Sequence, residues 1–237
     1  PLDFLATLYQ AMATTQTTTA ARTIPPAELL ASFLAATLPS ELAYQRRWIA
    51  DRARLRLYLK ARRVGISTAT SLDHACEALG LDIETGEYKP ETGVPQLFVS
   101  TGERKAADLL STTRLQLQAF ERVYGVTVID RDSDTRIVLR NGAAILALPG
   151  GNAAAIHGWT GSVFMDELSR IPNADECFKA AYYVTSPTPA RPQGYRLSAA
   201  STPNGAAGIF WELCETKRGD GWSVHRTTIT DAVADGF

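Results

Sequence analysis

A chain of 237 residues with 45% hydrophobic and 21% charged side chains can bury a sizeable core as one large domain or two small ones. A net charge of −1 excludes a global pull on nucleic acid, so any polyanion site is local. Cys76, Cys177 and Cys214 are far apart, lack a C-x-x-C pair and make no metal-ligand spacing with His74, His157 or His225, which argues against structural zinc and for a reducing compartment. No run approaches the roughly 18 apolar residues of a membrane span, and the first residues lack the order of a signal peptide, so a soluble intracellular protein is expected.

In chain order, "PLDFLATLYQAM" has helical apolar spacing and is followed by the Thr/Ala-rich "ATTQTTTAARTIPP", which reads as a linker and makes residues 1 to 26 peripheral. "AELLASFLAATL" (27 to 38) predicts a helix, and "SELAYQRRWIADR" another with Ser40 as its N-cap. Residues 46 to 63 hold eight Lys/Arg against the single Asp51, a local basic run whose plain reading is a solvated helix face. Strand-like and helix-like segments then alternate: "LRLYL" (55 to 59), a helix from about Ser67 to Leu79, "PQLFVS" (95 to 100), and a long helix over "ERKAADLLSTTRLQLQAFERVYG". This alternation predicts β-α-β units around a parallel sheet. Asn141-Gly142 between two apolar runs predicts a hairpin. Strands at 161 to 167 and 195 to 205 flank a helix near 174 to 183, and a helix over 206 to 217 and the strand "WSVHRTTI" close the count.

Three stretches carry chemistry. "KARRVGIST" (60 to 68) is a strand-turn-helix with the glycine of a phosphate-binding loop, but Ile66 stands where G-x-x-x-x-G-K-[ST] has lysine. Main-chain N–H groups of 64 to 68 at a helix N-terminus bind phosphate whatever the side chains, and Ser67, with Thr68 beside it, takes the Mg²⁺-ligating hydroxyl position. In "SVFMDE" an apolar strand ends in Asp166, a Mg²⁺ ligand in this reading, and Glu167, the base for the attacking water. "SAASTPNG" ends a strand in Ser201 and Thr202, hydroxyls placed to sense a γ-phosphate.

"KARRVGIST", "SVFMDELSRI" and "SAASTPNGAAGIFWEL", in this order and spacing, resemble the ATPase domain of the large terminase subunit of tailed bacteriophages, from about Tyr44 to the end of the chain. The family loop typically reads S-R-Q-x-G-K-[ST], so Arg62 matches its arginine, Gly65 its glycine and Ser67 its hydroxyl. Members of the phage lambda type carry a lysine at the start of the loop, where Lys60 stands. "AYQRRW" resembles the adenine-recognition segment, with Gln45 as base-reading amide and Tyr44 beside it.

The resemblance implies an α/β fold, an additional-strand, RecA-like P-loop NTPase with a mainly parallel sheet flanked by helices. It implies a helical segment and linker over 1 to 39 and the ATPase domain over 40 to 237. ATP and Mg²⁺ would be held by Tyr44, Gln45, Lys60, Arg62, Arg63, Val64, Gly65, Ile66, Ser67, Thr68, Ser201 and Thr202, with Ser67 and Asp166 on the metal and Glu167, Arg62 and Lys60 catalytic. The implied activity is ATP hydrolysis that drives double-stranded DNA into a procapsid. The implied partners are the portal protein, the procapsid, the small terminase subunit and further copies in a ring, with a monomer in isolation, no membrane, and the host cell cytoplasm as location. The family's nuclease domain has no counterpart in this sequence, so no DNA cutting is expected. Two other readings are open: a helicase-like ATPase, and a degenerate docking or DNA-binding module that lost catalysis with its lysine.

Overall fold

The computed structural model describes residues 24–38, 42–215 and 221–237. The segment "PLDFLATLYQAM", most of the linker and Ser40 lie outside them. An eight-stranded sheet forms the centre, in the order β3-β4-β5-β2-β6-β7-β1-β8. Its strands are β1 (Leu55–Lys60), β2 (Gln96–Ser100), β3 (Ile129–Asp132), β4 (Arg136–Leu139), β5 (Ala144–Pro149), β6 (Ser162–Asp166), β7 (Leu197–Ser201) and β8 (Trp222–Thr227). Pairing is parallel from β5 across to β8, and β3 and β4 add an antiparallel edge. The Asn141-Gly142 turn joins β4 to β5 as a hairpin, as the dipeptide predicts.

The central strands are buried on both faces, as a parallel sheet covered by helices requires. Side chains alternate between the two sides. Tyr58, Phe98 and Phe164 face a core shared with α1 (Pro26–Thr37), α2 (Ala43–Ala50), α3 (Ile66–Leu79) and α4 (Glu103–Tyr124). Leu57, Leu97, Val99, Val163 and Met165 face the core beneath α5 (Ala153–His157), α6 (Ala174–Val184) and α7 (Ile209–Glu215). A short helix, α8 (Ile229–Ala234), follows β8. Among the described residues no helix is long and apolar enough to cross a membrane.

Several expectations need correction. α2 begins at Ala43, and Leu42 occupies its N-cap position with no side-chain cap. The helix expected over 27 to 38 is present as α1, and it packs on the core: Phe33 is fully buried, with its ring 5.5 Å from that of Phe120. β3 was not expected, because "IDRD" is half-buried to exposed along its length and so lacks an apolar run. The last strand stops at Thr227, and Thr228 caps α8 in a reciprocal pair with Asp231. The basic run is not a solvated face either. It crosses from α2 into β1, where Arg56 is fully buried and Lys60 is 6% exposed, both in ion pairs.

Arg56 belongs to a charged cluster under the sheet. Asp73 accepts hydrogen bonds from Arg56 at 2.6 Å, Arg196 at 2.7 Å and Arg52 at 3.3 Å. Burial pushes the Asp73 carboxyl up, but the guanidiniums, Arg196 foremost, outweigh it and hold the group far below the usual carboxylate range. The cluster fastens β1 to α3 and β7, the three elements that present the loop and its neighbours.

Candidate active site

The parallel strands β1, β7, β6 and β2 end at one edge of the sheet, the edge where open α/β folds place their ligands. The loop 61 to 65 leaves β1 there and enters α3. Gly65 (φ 73°) and Arg63 (φ 63°) are both left-handed, the turn that brings α3 directly over the strand end. Main-chain N–H groups from Arg62 to Thr68 donate to no protein acceptor among the described residues, leaving a cradle of free donors at a positive helix end.

Across from this loop, the Ser67 hydroxyl donates to Asp166 Oδ1 at 2.9 Å, joining residues 99 positions apart. Lys60 Nζ donates to Glu167 Oε1 at 2.6 Å. β7 lies between β1 and β6, so this pair reaches across the end of β7. Glu167 Oε2 accepts from Thr202 N and Oγ1, both at 3.1 Å, and from Ser201 Oγ at 3.3 Å. Glu167 itself is left-handed (φ 55°), a conformation that costs a non-glycine residue about 1–3 kcal/mol and collects at working sites.

No family model matches the chain. The Mu-like prophage FluMu protein gp28 of Haemophilus influenzae is 28% identical over 205 residues, covering 83% of this chain and 38% of that protein. The probable terminase large subunit gp28 of Escherichia phage Mu is 28% identical over 214 residues, covering 84% of this chain and 36% of that protein. The chain therefore spans little more than a third of the curated relatives it matches. The ATPase domain of the Thermus phage P74-26 large terminase superposes with a TM-score of 0.61 at 15% identity, over 90% of this chain and 89% of that domain. The fold is that of a large-terminase ATPase domain. A large terminase from a thermophilic bacteriophage, solved in complex with ADP, has a TM-score of 0.58 at 16% identity, over 81% of this chain and 46% of that one.

Within this terminase-type fold, the expected residues gather around the loop. Tyr44 and Gln45, both buried, donate from the Tyr44 hydroxyl at 2.8 Å and Gln45 Nε2 at 3.3 Å to the carbonyl of Val64, so both support the loop. Arg62 and Arg63 are exposed, with no ion pair among the described residues. Thr68 is exposed on the first turn of α3. Ile66 is 1% exposed and packs into the core, which explains the missing lysine: this side chain serves the helix seat. Ser201 and Thr202 meet the Glu167 carboxylate directly rather than open space.

Burial raises the Asp166 carboxyl above its ordinary value, against the pull of Lys60 and Ser67. A carboxylate placed in that position gains from a bound cation, and Ser67 and Asp166 offer the hard oxygen donors that Mg²⁺ takes. For Glu167 burial also acts upward, but the hydrogen bond and charge of Lys60, with the donors of Thr202, prevail and lower its pKa. Glu167 is thus held ionised.

Sequence reasoning missed Ser100 and Ser169. Ser169 shares its hydroxyl with Ser201 Oγ at 2.7 Å and so ties the turn after β6 to the end of β7. No local motif marks either serine, and only the fold brings Ser169 to Ser201.

Proposed function

We propose that this chain is the ATPase motor domain of a phage large terminase, hydrolysing ATP to move double-stranded DNA into a procapsid. The observation that carries it is the loop hydroxyl of Ser67 bonded to Asp166, with Glu167 alongside at the tip of a parallel sheet. The main-chain cradle of 62 to 68 takes the phosphates, with Lys60 and Arg62 as their cations, and Gln45 with Tyr44 beside it serves the base. Ser67 and Asp166 hold Mg²⁺. When bound, Mg²⁺ neutralises and aligns the phosphate oxygens.

The protein side of the reaction follows from the two oxygens of Glu167. Oε2 is held by Ser201 and Thr202, while Oε1 is covered by Lys60. Lys60 moves to the incoming phosphates and uncovers Oε1. That oxygen takes a proton from water as the water oxygen bonds to the γ-phosphorus and the bond to the ADP oxygen breaks. The hydroxyls on Oε2 then register, at the end of β7, whether Glu167 is charged or protonated.

The remainder of the reading follows the resemblance: a ring of copies on the portal, loaded with the small subunit, in the host cytoplasm, and no DNA cutting by this segment. The test is ATP hydrolysis and ATPγS binding by the chain and by Glu167→Gln. Turnover by the parent, with Glu167→Gln binding ATPγS but not turning over, is the expected result. A parent that binds no nucleotide ends the reading.

A further inference from the structure

Four buried side-chain atoms have no hydrogen-bond partner among the described residues, and one of them stands at this site: the hydroxyl of Ser100, a residue 1% exposed. A buried hydroxyl without a partner costs free energy and calls for a reason. Ser100 ends β2, whose neighbour is β6. Val99 pairs with Met165, so the next residues along the two strands are Ser100 and Asp166. Strand alternation puts Ser100 on the side of Phe98 and Asp166 on the side of Phe164. Those two rings meet at 6.2 Å on the face that carries α3. Ser100 therefore flanks Asp166 on the side opposite Glu167, whose contacts run to β7 and β1.

The position is held firmly. Gly150 N donates to the Ser100 carbonyl at 2.6 Å, and a Cβ on Gly150 would come 2.6 Å from that same oxygen, so the "PGGN" turn packs against the strand end. Beyond Ser100 the chain passes Gly102, where an added Cβ would meet nothing, into the uncapped start of α4. Lys105 in the first turn of α4 attracts Asp166. A buried hydroxyl and the positive charge of Lys105 thus lie on the β2 side of the carboxylate.

We propose that Ser100 is a catalytic hydroxyl: it hydrogen-bonds the oxygens at the γ-phosphate end of the site, those of the transferring phosphoryl group or of the water that attacks it. This rests on the ATPase reading above. The hydroxyl has no partner among the described residues, and the terminal phosphate supplies one.

The test compares the parent, Ser100→Ala and Glu167→Gln for affinity to MgADP and to MgADP with aluminium fluoride, a mimic of the transferring phosphoryl group, together with turnover and thermal midpoint. Ser100→Ala should bind MgADP within about twofold of the parent, lose at least about tenfold on the aluminium fluoride complex and in kcat, and keep its thermal midpoint, because an unpartnered hydroxyl contributes nothing to the fold. Parent-like affinity for the mimic and parent-like kcat overturn the role of Ser100 and leave the ATPase reading standing. A fall in thermal midpoint with MgADP and mimic affinity lost together also overturns it. A parent that binds neither complex removes the ATPase reading and this inference with it.

Discussion

Asp73 is the place where the fold stakes most on one side chain, and Asp73→Asn tests it. The substitution keeps shape and removes the carboxylate charge that Arg56 Nη2 meets at 2.6 Å, while Arg56 and Asp73 are both fully buried and Arg196 is 11% exposed. Removing one partner of a buried pair leaves an uncompensated charge and costs about 3–5 kcal/mol. For a chain of this length that corresponds to a fall of roughly 6–20 °C in thermal midpoint. Arg52 provides the internal comparison: it bonds the same carboxylate at 3.3 Å, but its side chain is 41% exposed, so Arg52→Ala should cost at most about 1 kcal/mol. Urea unfolding with a shared m-value reads both. If Asp73→Asn costs under about 1 kcal/mol, or no more than Arg52→Ala, the buried-pair reasoning is refuted.

Two further predictions concern the interior and the loop. His74 is fully buried between Gln96 and Ser198, and burial pushes its pKa down to about 4. The folded chain then stays unprotonated where the unfolded chain takes a proton, so stability is complete above about pH 6.5 and falls by about 3 kcal/mol as pH drops towards 4. The slope of unfolding free energy with pH should flatten in His74→Gln, and an unchanged slope would contradict the assignment. Gly65→Ala places a Cβ at φ 73°, 2.4 Å from Gln45 Nε2. It should cost about 1–2 kcal/mol and weaken ATPγS binding by displacing Gln45 from Val64, and parent-like binding by calorimetry would show that the loop does not need this geometry.

The candidate site residues legible in the sequence are those whose type and local setting match a motif: the glycine turn before α3, Ser67 one residue into the helix, and Asp166 with Glu167 at a strand end. The central strands were legible because their apolar runs are buried on both faces. What could not be read is what depends on pairing across the sheet. Lys60 and Glu167 are 107 positions apart, and only the sheet order, with their strands on either side of β7, lets them meet at 2.6 Å across its end. Ser100 had no motif, and its interest lies in lacking a partner. The basic run misled because charge counts do not distinguish a solvated arginine from Arg56 on a buried strand facing Asp73. α8 was missed although Thr228-x-x-Asp231 carries a capping pattern, because the preceding β-branched run reads on as strand.

The central claim is that a strand-ending lysine replaces the missing loop lysine, and ATP turnover of Lys60→Ala beside Ile66→Val tests it most directly. Lys60 is a buried cation at the loop that touches the Glu167 carboxylate at 2.6 Å, and Ile66 is a packed core residue. Turnover should fall by about 10²-fold or more in Lys60→Ala and stay within a few-fold of the parent in Ile66→Val. Full turnover in Lys60→Ala would contradict the account.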